Sequence, residues 1–429
     1  MIKELQVPLF DLTMCLSNAI DLVSPNLVNH HKQVAYISSS IAAEFGLSKE
    51  EQRELLIAGA LHDIGAMSLK ERLETLKFEL NSPHQHAELG YHFLKTYEPF
   101  SRIAFLVRYH HVSWSEASEN AVPLGSHILH LADRVAVLVD PYQEVLGQVN
   151  EICKTISKES GRKFMPDLVN AFIKLSDKES FWLDIVSPTL TSVLNRRAKA
   201  ISIDLDIKGL TELTKLISRI IDFRSRFTAI HSTGVAATAE KLARLVGLSK
   251  LECMMIRIAG YLHDLGKLAI PLEILEKAAG LSDGEFRIIK SHPFYTYRLL
   301  EGIEGMATIN AWASFHHERL DGRGYPFRQD SKNLLLGSRI IAVADVFTAI
   351  TEDRPYHKGR SSDQALQILQ AMAESSAIDG NLVSILAQHY EEVNSVRIAA
   401  QLEATSEYQK FALDLDDYMK TKDSGSRSD

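Results

Sequence analysis

Apolar positions recur at helical spacing in both halves of the chain. Val235, Ala239, Leu242 and Val246 are spaced by four, three and four residues, and Val34, Ile37, Ile41 and Phe45 follow the same rhythm less strictly. Such a stripe buries one face of a helix and leaves the polar residues on the other. Gly46 and Gly247 stand where these helices should end, because glycine takes the left-handed conformation of a helix C-terminus without steric cost. Ser48 and Ser249 follow as N-caps, with Glu51 and Glu252 completing a capping-box pattern for the next helix. The pattern predicts an all-α chain of two tandem helical bundles.

The two bundles are copies. Leu55-Leu56-Ile57-Ala58-Gly59-Ala60-Leu61-His62-Asp63-Ile64-Gly65 falls on Ile256-Arg257-Ile258-Ala259-Gly260-Tyr261-Leu262-His263-Asp264-Leu265-Gly266 at a shift of 201, which also places His30 on His231. At 206, His86 meets His292 and His110-His111 meets His316-His317; at 212, Ala132-Asp133 meets Ala344-Asp345. The six extra residues of the second copy fall in the loop His316-His317-Glu318-Arg319-Leu320-Asp321-Gly322-Arg323-Gly324-Tyr325-Pro326. The domains expected are 1–195, a linker at 196–206 around Arg196, Arg197 and Lys199, a second domain at 207–400, and 401–429 as a helix and tail. Lys420 to Asp429 carry no apolar anchor beyond the helix and are expected to be disordered.

Composition narrows the classes. A chain of 429 residues at about 150 per domain has ample core for two or three domains. A net charge of −8 argues against DNA or RNA polymer as a partner, since backbone binding needs a basic face. No run of 18 apolar residues occurs, and Met1-Ile2-Lys3-Glu4-Leu5 does not open a signal peptide, so no membrane partner and a cytoplasmic location are expected. Cys15, Cys153 and Cys253 lie too far apart for a thiolate cluster or disulfide framework.

Seventeen histidines are many for this length, and their recurrence in register favours metal ligation over scattered packing roles. The recurring set is His231, His263, Asp264, His292, His316, His317 and Asp345 in the second copy. In the first it is His30, His62, Asp63, His86, His110, His111 and Asp133, a candidate second metal site. Adjacent helical residues project about 100° apart, so His263-Asp264 can serve two neighbouring ions, as can His316-His317. Five histidines and two carboxylates suit two divalent first-row ions, iron or manganese, better than calcium or magnesium. Such a pair polarises a phosphoryl group and activates water, the chemistry of phosphodiester hydrolysis.

These residues resemble the HD superfamily of metal-dependent phosphohydrolases, named for the doublet seen here as His263-Asp264. The second copy looks like its HD-GYP subfamily over roughly residues 210–390, through His263-Asp264-Leu265-Gly266-Lys267, Ser291-His292-Pro293, the eleven-residue loop, Arg339 to Asp345, and Asp353-Arg354-Pro355-Tyr356. The resemblance implies two tandem HD-type bundles and hydrolysis of a cyclic dinucleotide, cyclic di-GMP or 3′,3′-cyclic GMP-AMP. It makes Asp264 a bridging ligand and Lys267 a catalytic contact to phosphate. Tyr325, Arg354, Tyr356 and Lys358 are the further substrate-binding candidates, while Arg319 and Arg323 either contact substrate or brace the loop.

Departures from the subfamily pattern bear on specificity. Phe227 stands where some members carry a third-metal glutamate, Thr348 stands where aspartate is usual, Ile378-Asp379-Gly380 replaces Phe-Asp-Pro, and His357 follows the tyrosine. The first copy has Ala66 in place of Lys267 and lacks the glycine-tyrosine-proline loop. It is therefore read as a sensory or dimerising module, a metal-binding domain without turnover, or a second phosphohydrolase, a phosphomonoesterase acting on the linear product. The partners expected are a cyclic dinucleotide and, as a candidate, a second copy of the chain in a homodimer. The rival reading is a non-catalytic cyclic-dinucleotide receptor that signals through the N-terminal half.

Overall fold

The computed structural model describes residues 5–22, 29–79, 84–117, 122–199, 203–224, 230–277, 280–353 and 358–425, except for side chains at 69, 411–412 and 414–425. The chain divides into two compact units, Pro8–Asp204 and Leu205–Asp429, the latter joined by the residues up to Val7. Among the described residues, the only strands are the two-residue pair β1 (Val7–Pro8) and β2 (Asp204–Leu205). The other named elements are helices, as the apolar spacing predicts.

The N-terminal unit comprises α1 (Leu9–Asp21), α2 (His30–Phe45), α3 (Lys49–Leu61), α4 (Leu69–Thr75), α5 (His84–Leu94), α6 (Ser101–Arg108), α7 (Leu124–Leu138), α8 (Val149–Lys158), α9 (Pro166–Ser176), α10 (Glu179–Ile185) and α11 (Leu190–Lys199). The C-terminal unit comprises α12 (Ile207–Phe223), α13 (His231–Leu245), α14 (Lys250–Leu262), α15 (Leu272–Leu275), α16 (Asp283–Ile289), α17 (His292–Glu301), α18 (Ala307–Ser314), α19 (Leu336–Thr351), α20 (Ser362–Glu374), α21 (Gly380–Gln388) and α22 (Tyr390–Gly425).

The repeat is visible in how each unit is built. The α2–α3 and α13–α14 pairs pack together, with α7 and α19 laid against α2 and α13 respectively. Val34, Ile37, Ile41, Val235, Ala239 and Leu242 are all fully buried. Gly46 and Gly247 take φ of +88° and +83°, and the expected capping boxes form at Ser48/Glu51 and Ser249/Glu252. Each cap satisfies otherwise unpaired helix N–H groups, a contribution of about 1 kcal/mol.

Helices run across three of the expected boundaries. Arg196, Arg197 and Lys199 form the last turn of α11 rather than a linker, because Leu190, Leu194 and Ala198 bury one face of that helix. No break separates 400 from 401: α22 passes through, with Val393, Arg397 and Gln401 buried at spacings of four. The helix also continues through Lys420 to Gly425, where a disordered tail was expected, since its mostly polar sequence has no glycine or proline until Gly425 to end it.

Candidate metal centre

In the C-terminal unit the histidines are aimed by the backbone. His263 caps the C-terminus of α14, and its Nδ1 meets the Gly260 carbonyl three residues back at 2.7 Å. His292 does the same with Ile289 and His316 with Ala313, each at 2.7 Å. A carbonyl can only accept, so Nδ1 carries the proton and the lone pair lies on Nε2, turned inward. The His-Asp doublet therefore closes a helix rather than lying within one. Gly266, two residues on, lets the chain pass beneath α17, for a Cβ there would fall 2.0 Å from the His292 carbonyl oxygen.

The inward nitrogens gather into two clusters, His231-His263-Asp264 and His292-His316-His317, each with donor atoms within 4.8 Å of one another. Asp264 faces both, its Oδ2 being 3.2 Å from His263 Nε2 and its Oδ1 3.3 Å from His292 Nε2. Asp345 lies 3.0 Å from His231 Nε2 and 3.9 Å from His317 Nδ1. All seven residues singled out by the repeat thus meet.

These donors fit divalent ions. The Nε2 atoms of His292 and His316 stand 3.2 Å apart with both lone pairs directed at the same space, and His263 Nε2 is buried without a hydrogen-bond partner. Bare lone pairs so placed call for a shared cation. Burial, reinforced by His317, His263 and His292, holds His316 well below the usual histidine range, and burial above all takes His317 down to about 3. Neutral imidazole is the form that ligates. For Asp264, burial favours the neutral acid, but the neighbouring His263 and Lys267 overcome it and keep the carboxyl well below its usual range.

Thr348 and Glu352 explain one departure from the subfamily pattern. Thr348 is fully buried and its Oγ1 has no partner among the described residues, so it supports none of the ligands there. One helical turn on, the Glu352 carboxylate lies 3.2 Å from His231 Nδ1 through either oxygen, and Gln401 Nε2 on α22 donates to it at 3.1 Å. A carboxylate behind a ligating imidazole fixes its orientation and raises its basicity. Sequence reasoning missed Glu352, although its place four residues after Thr348 puts both on one helix face. Glu352→Gln is expected to weaken the affinity of this centre for Mn²⁺ by about 10- to 100-fold, measured by chelator competition.

At the mouth, Lys267 Nζ sits 2.5 Å from Asp264 Oδ2 on a side chain 22% exposed. Tyr325 is half-buried, its ring 5.0 Å from that of His317, with the Lys290 ammonium 5.0 Å from its centroid. Lys290, two residues before a ligand, is a second cation that sequence reasoning overlooked. Arg319 pairs with Asp321 at 2.8 Å and braces the loop, while Arg323 contributes its backbone N–H to the same carboxylate at 2.9 Å. Glu318 accepts from Phe327 N at 2.6 Å and Gln329 N at 2.9 Å, pinning the loop beyond Pro326. Gly324 packs so tightly that an added Cβ would lie 2.4 Å from Glu318 Cα. Asp379 caps α21 and meets Arg339 at 3.2 Å, so Ile378-Asp379-Gly380 is structural. Lys358 is exposed. Arg354, Tyr356, His357 and Phe227 lie outside the described residues.

The N-terminal unit repeats the arrangement. His62 Nδ1 meets the Gly59 carbonyl at 2.9 Å and His110 Nδ1 that of Val107 at 2.5 Å. Asp63 Oδ2 is 3.4 Å from His62 and Oδ1 3.2 Å from His86, and His30 Nε2 is 3.4 Å from Asp133 Oδ1. His86 and His111 bring their Nε2 atoms to 2.9 Å. The centres differ in access. The side chains of His30, His62, Asp63, His86, His110 and Asp133 are at most 8% exposed, whereas His317 and Asp345 are 30% and 13% exposed. With Ala66 where Lys267 stands, the cation beside the N-terminal centre is Arg134, fully buried, with its guanidinium committed to Asp133 Oδ2 at 2.6 Å and to the carbonyls of Thr75, Lys77 and Phe78.

Two HD-domain family models match the chain, one over residues 27–138 and one over 215–382. Each spans the ligand set of its own unit. The chain carries two HD domains. A 3′3′-cGAMP-specific phosphodiesterase 1 of Vibrio cholerae is 29% identical over 92% of this chain and 95% of its own length. A second 3′3′-cGAMP-specific phosphodiesterase of that organism is 32% identical over 58% of this chain and 54% of its own length. A cyclic di-GMP phosphodiesterase of Pseudomonas aeruginosa is 40% identical over 33% of this chain and 34% of its own length. The crystal structure of a cyclic GMP-AMP-specific phosphodiesterase from V. cholerae shares the tandem fold, with a TM-score of 0.61 at 22% identity over 90% of this chain and 98% of that one. Among the described residues, no helix is long and apolar enough to cross a membrane.

Proposed function

We propose that the C-terminal HD domain hydrolyses a phosphodiester bond of a cyclic dinucleotide, cyclic di-GMP or 3′,3′-cyclic GMP-AMP, to the linear dinucleotide. The observation that carries this is one buried carboxylate, Asp264, reaching two donor clusters beside a partly exposed lysine. His231, His263, His292, His316, His317 and Asp345 would hold two divalent ions, iron or manganese, with Asp264 between them. Such ions supply charge neutralisation at a phosphoryl group and acidify water.

The protein's own groups do the remainder. Lys267, steadied by Asp264, places a positive charge at the mouth where a phosphate oxygen would lie, and the charge gains strength as the reacting phosphoryl group accumulates negative charge. Tyr325, with the Lys290 ammonium over its ring, would contact a base or phosphate at the mouth. Glu352 keeps His231 turned inward. A mere receptor would need none of this ligand set, and the openness of the centre at His317 favours turnover, for catalytic metal sites keep an accessible position.

The test is turnover of cyclic di-GMP and 3′,3′-cyclic GMP-AMP by iron- and manganese-loaded protein, with products resolved by chromatography. A linear dinucleotide is the expected product, and tight binding without turnover of either would leave a receptor. Inorganic phosphate released from the linear product, and abolished by Asp63→Ala, would assign a phosphomonoesterase to the N-terminal centre. Its closure and spent guanidinium favour metal binding without turnover instead.

A further inference from the structure

We infer that His31 supplies an additional nitrogen donor to the N-terminal centre, with Asp21 as its positioning residue. The inference rests on that centre holding metal. Its first support is a signature shared by His62 and His110, in which one ring nitrogen is fixed on an acceptor and Nε2 is left buried without a partner. His31 has the same signature: its Nδ1 is hydrogen-bonded to Asp21 Oδ1, its Nε2 is unpartnered among the described residues, and it is 2% exposed. A carboxylate behind the imidazole is one of the usual ways a ligating histidine is oriented.

Position is the second support. The His31 ring centroid lies 5.6 Å from that of His30 and 5.2 Å from that of His62, the spacing that separates His30 from His62 themselves, 5.3 Å. The sister domain supplies the third. At the same offset of 201, Asp222 stands for Asp21 and Ser232 for His31, and Ser232 Oγ donates to Asp222 at 2.7 Å while its backbone N–H donates at 3.1 Å. The fold thus asks only for a small donor to this aspartate. Serine meets that need with nothing left over, whereas histidine meets it and brings a second, unsatisfied nitrogen into the interior. Burying a polar atom without a partner is unfavourable, so the nitrogen is best explained by something that binds it.

The test uses the full chain loaded with Mn²⁺ alone, comparing wild type, His31→Ser, Asp21→Asn and Asp63→Ala in metal content and in chelator competition. Serine is chosen because the sister domain folds with it, and melting of the metal-free proteins separates ligation from packing. The expected result is that His31→Ser weakens one class of Mn²⁺ by about 10- to 100-fold and Asp21→Asn by less. Metal-free melting should stay unchanged for both, and Asp63→Ala should remove the N-terminal metal altogether. Wild-type affinity in His31→Ser beside lost metal in Asp63→Ala would overturn the His31 assignment alone. Full metal content in Asp63→Ala would overturn the N-terminal metal centre itself.

Discussion

Asp264→Ala should lower cyclic-dinucleotide turnover by about a thousandfold or more, the scale expected when a residue that assembles a reacting centre is removed. The carboxylate belongs to one donor cluster and its two oxygens face His263 and His292, one in each cluster, at 3.2 Å and 3.3 Å. Its loss also strips Lys267 of the counter-charge that holds it at the mouth. Metal content should fall in the same protein, read by elemental analysis of the purified variant against wild type. An Asp264→Ala protein with full activity and full metal would remove the basis for the proposed centre.

Lys267→Ala should have the second-largest effect and a different signature. The ammonium contacts Asp264 but belongs to neither donor cluster, so metal content should remain near wild type. A charge aimed at a reacting phosphoryl group gains strength as negative charge develops there, and its removal should cost about 10²- to 10³-fold, in kcat rather than KM. Steady-state kinetics checks this directly. A rise in KM alone would reduce Lys267 to ground-state binding, and an unchanged rate would return it to a surface lysine.

The metal scaffold was legible in the sequence because ligation fixes residue type. Nothing but histidine or carboxylate serves at His263, Asp264 or His316, so self-comparison finds them even where the packing around them has drifted. The helices were legible for a similar reason, since Val235, Ala239 and Leu242 must be apolar to be buried. What supports the ligands was less visible. Glu352 meets His231 across more than a hundred residues, and it replaces a support expected one turn earlier at Thr348. His31 was hidden because the sister domain has serine at its position. Lys290 becomes a candidate only when the loop brings Tyr325 beneath it. That α22 runs unbroken through residue 400 was missed because Val393, Arg397 and Gln401 bury a face that is mostly polar, and polarity in a helix reads as exposure.

The most direct test is mass spectrometry of the product formed from a cyclic dinucleotide in ¹⁸O-labelled water by manganese-loaded wild type and Asp264→Ala. The account expects wild type to yield a linear dinucleotide carrying one ¹⁸O in its new terminal phosphate, and Asp264→Ala to yield almost none. An unlabelled linear product, or labelled product at equal rates from both proteins, would contradict it.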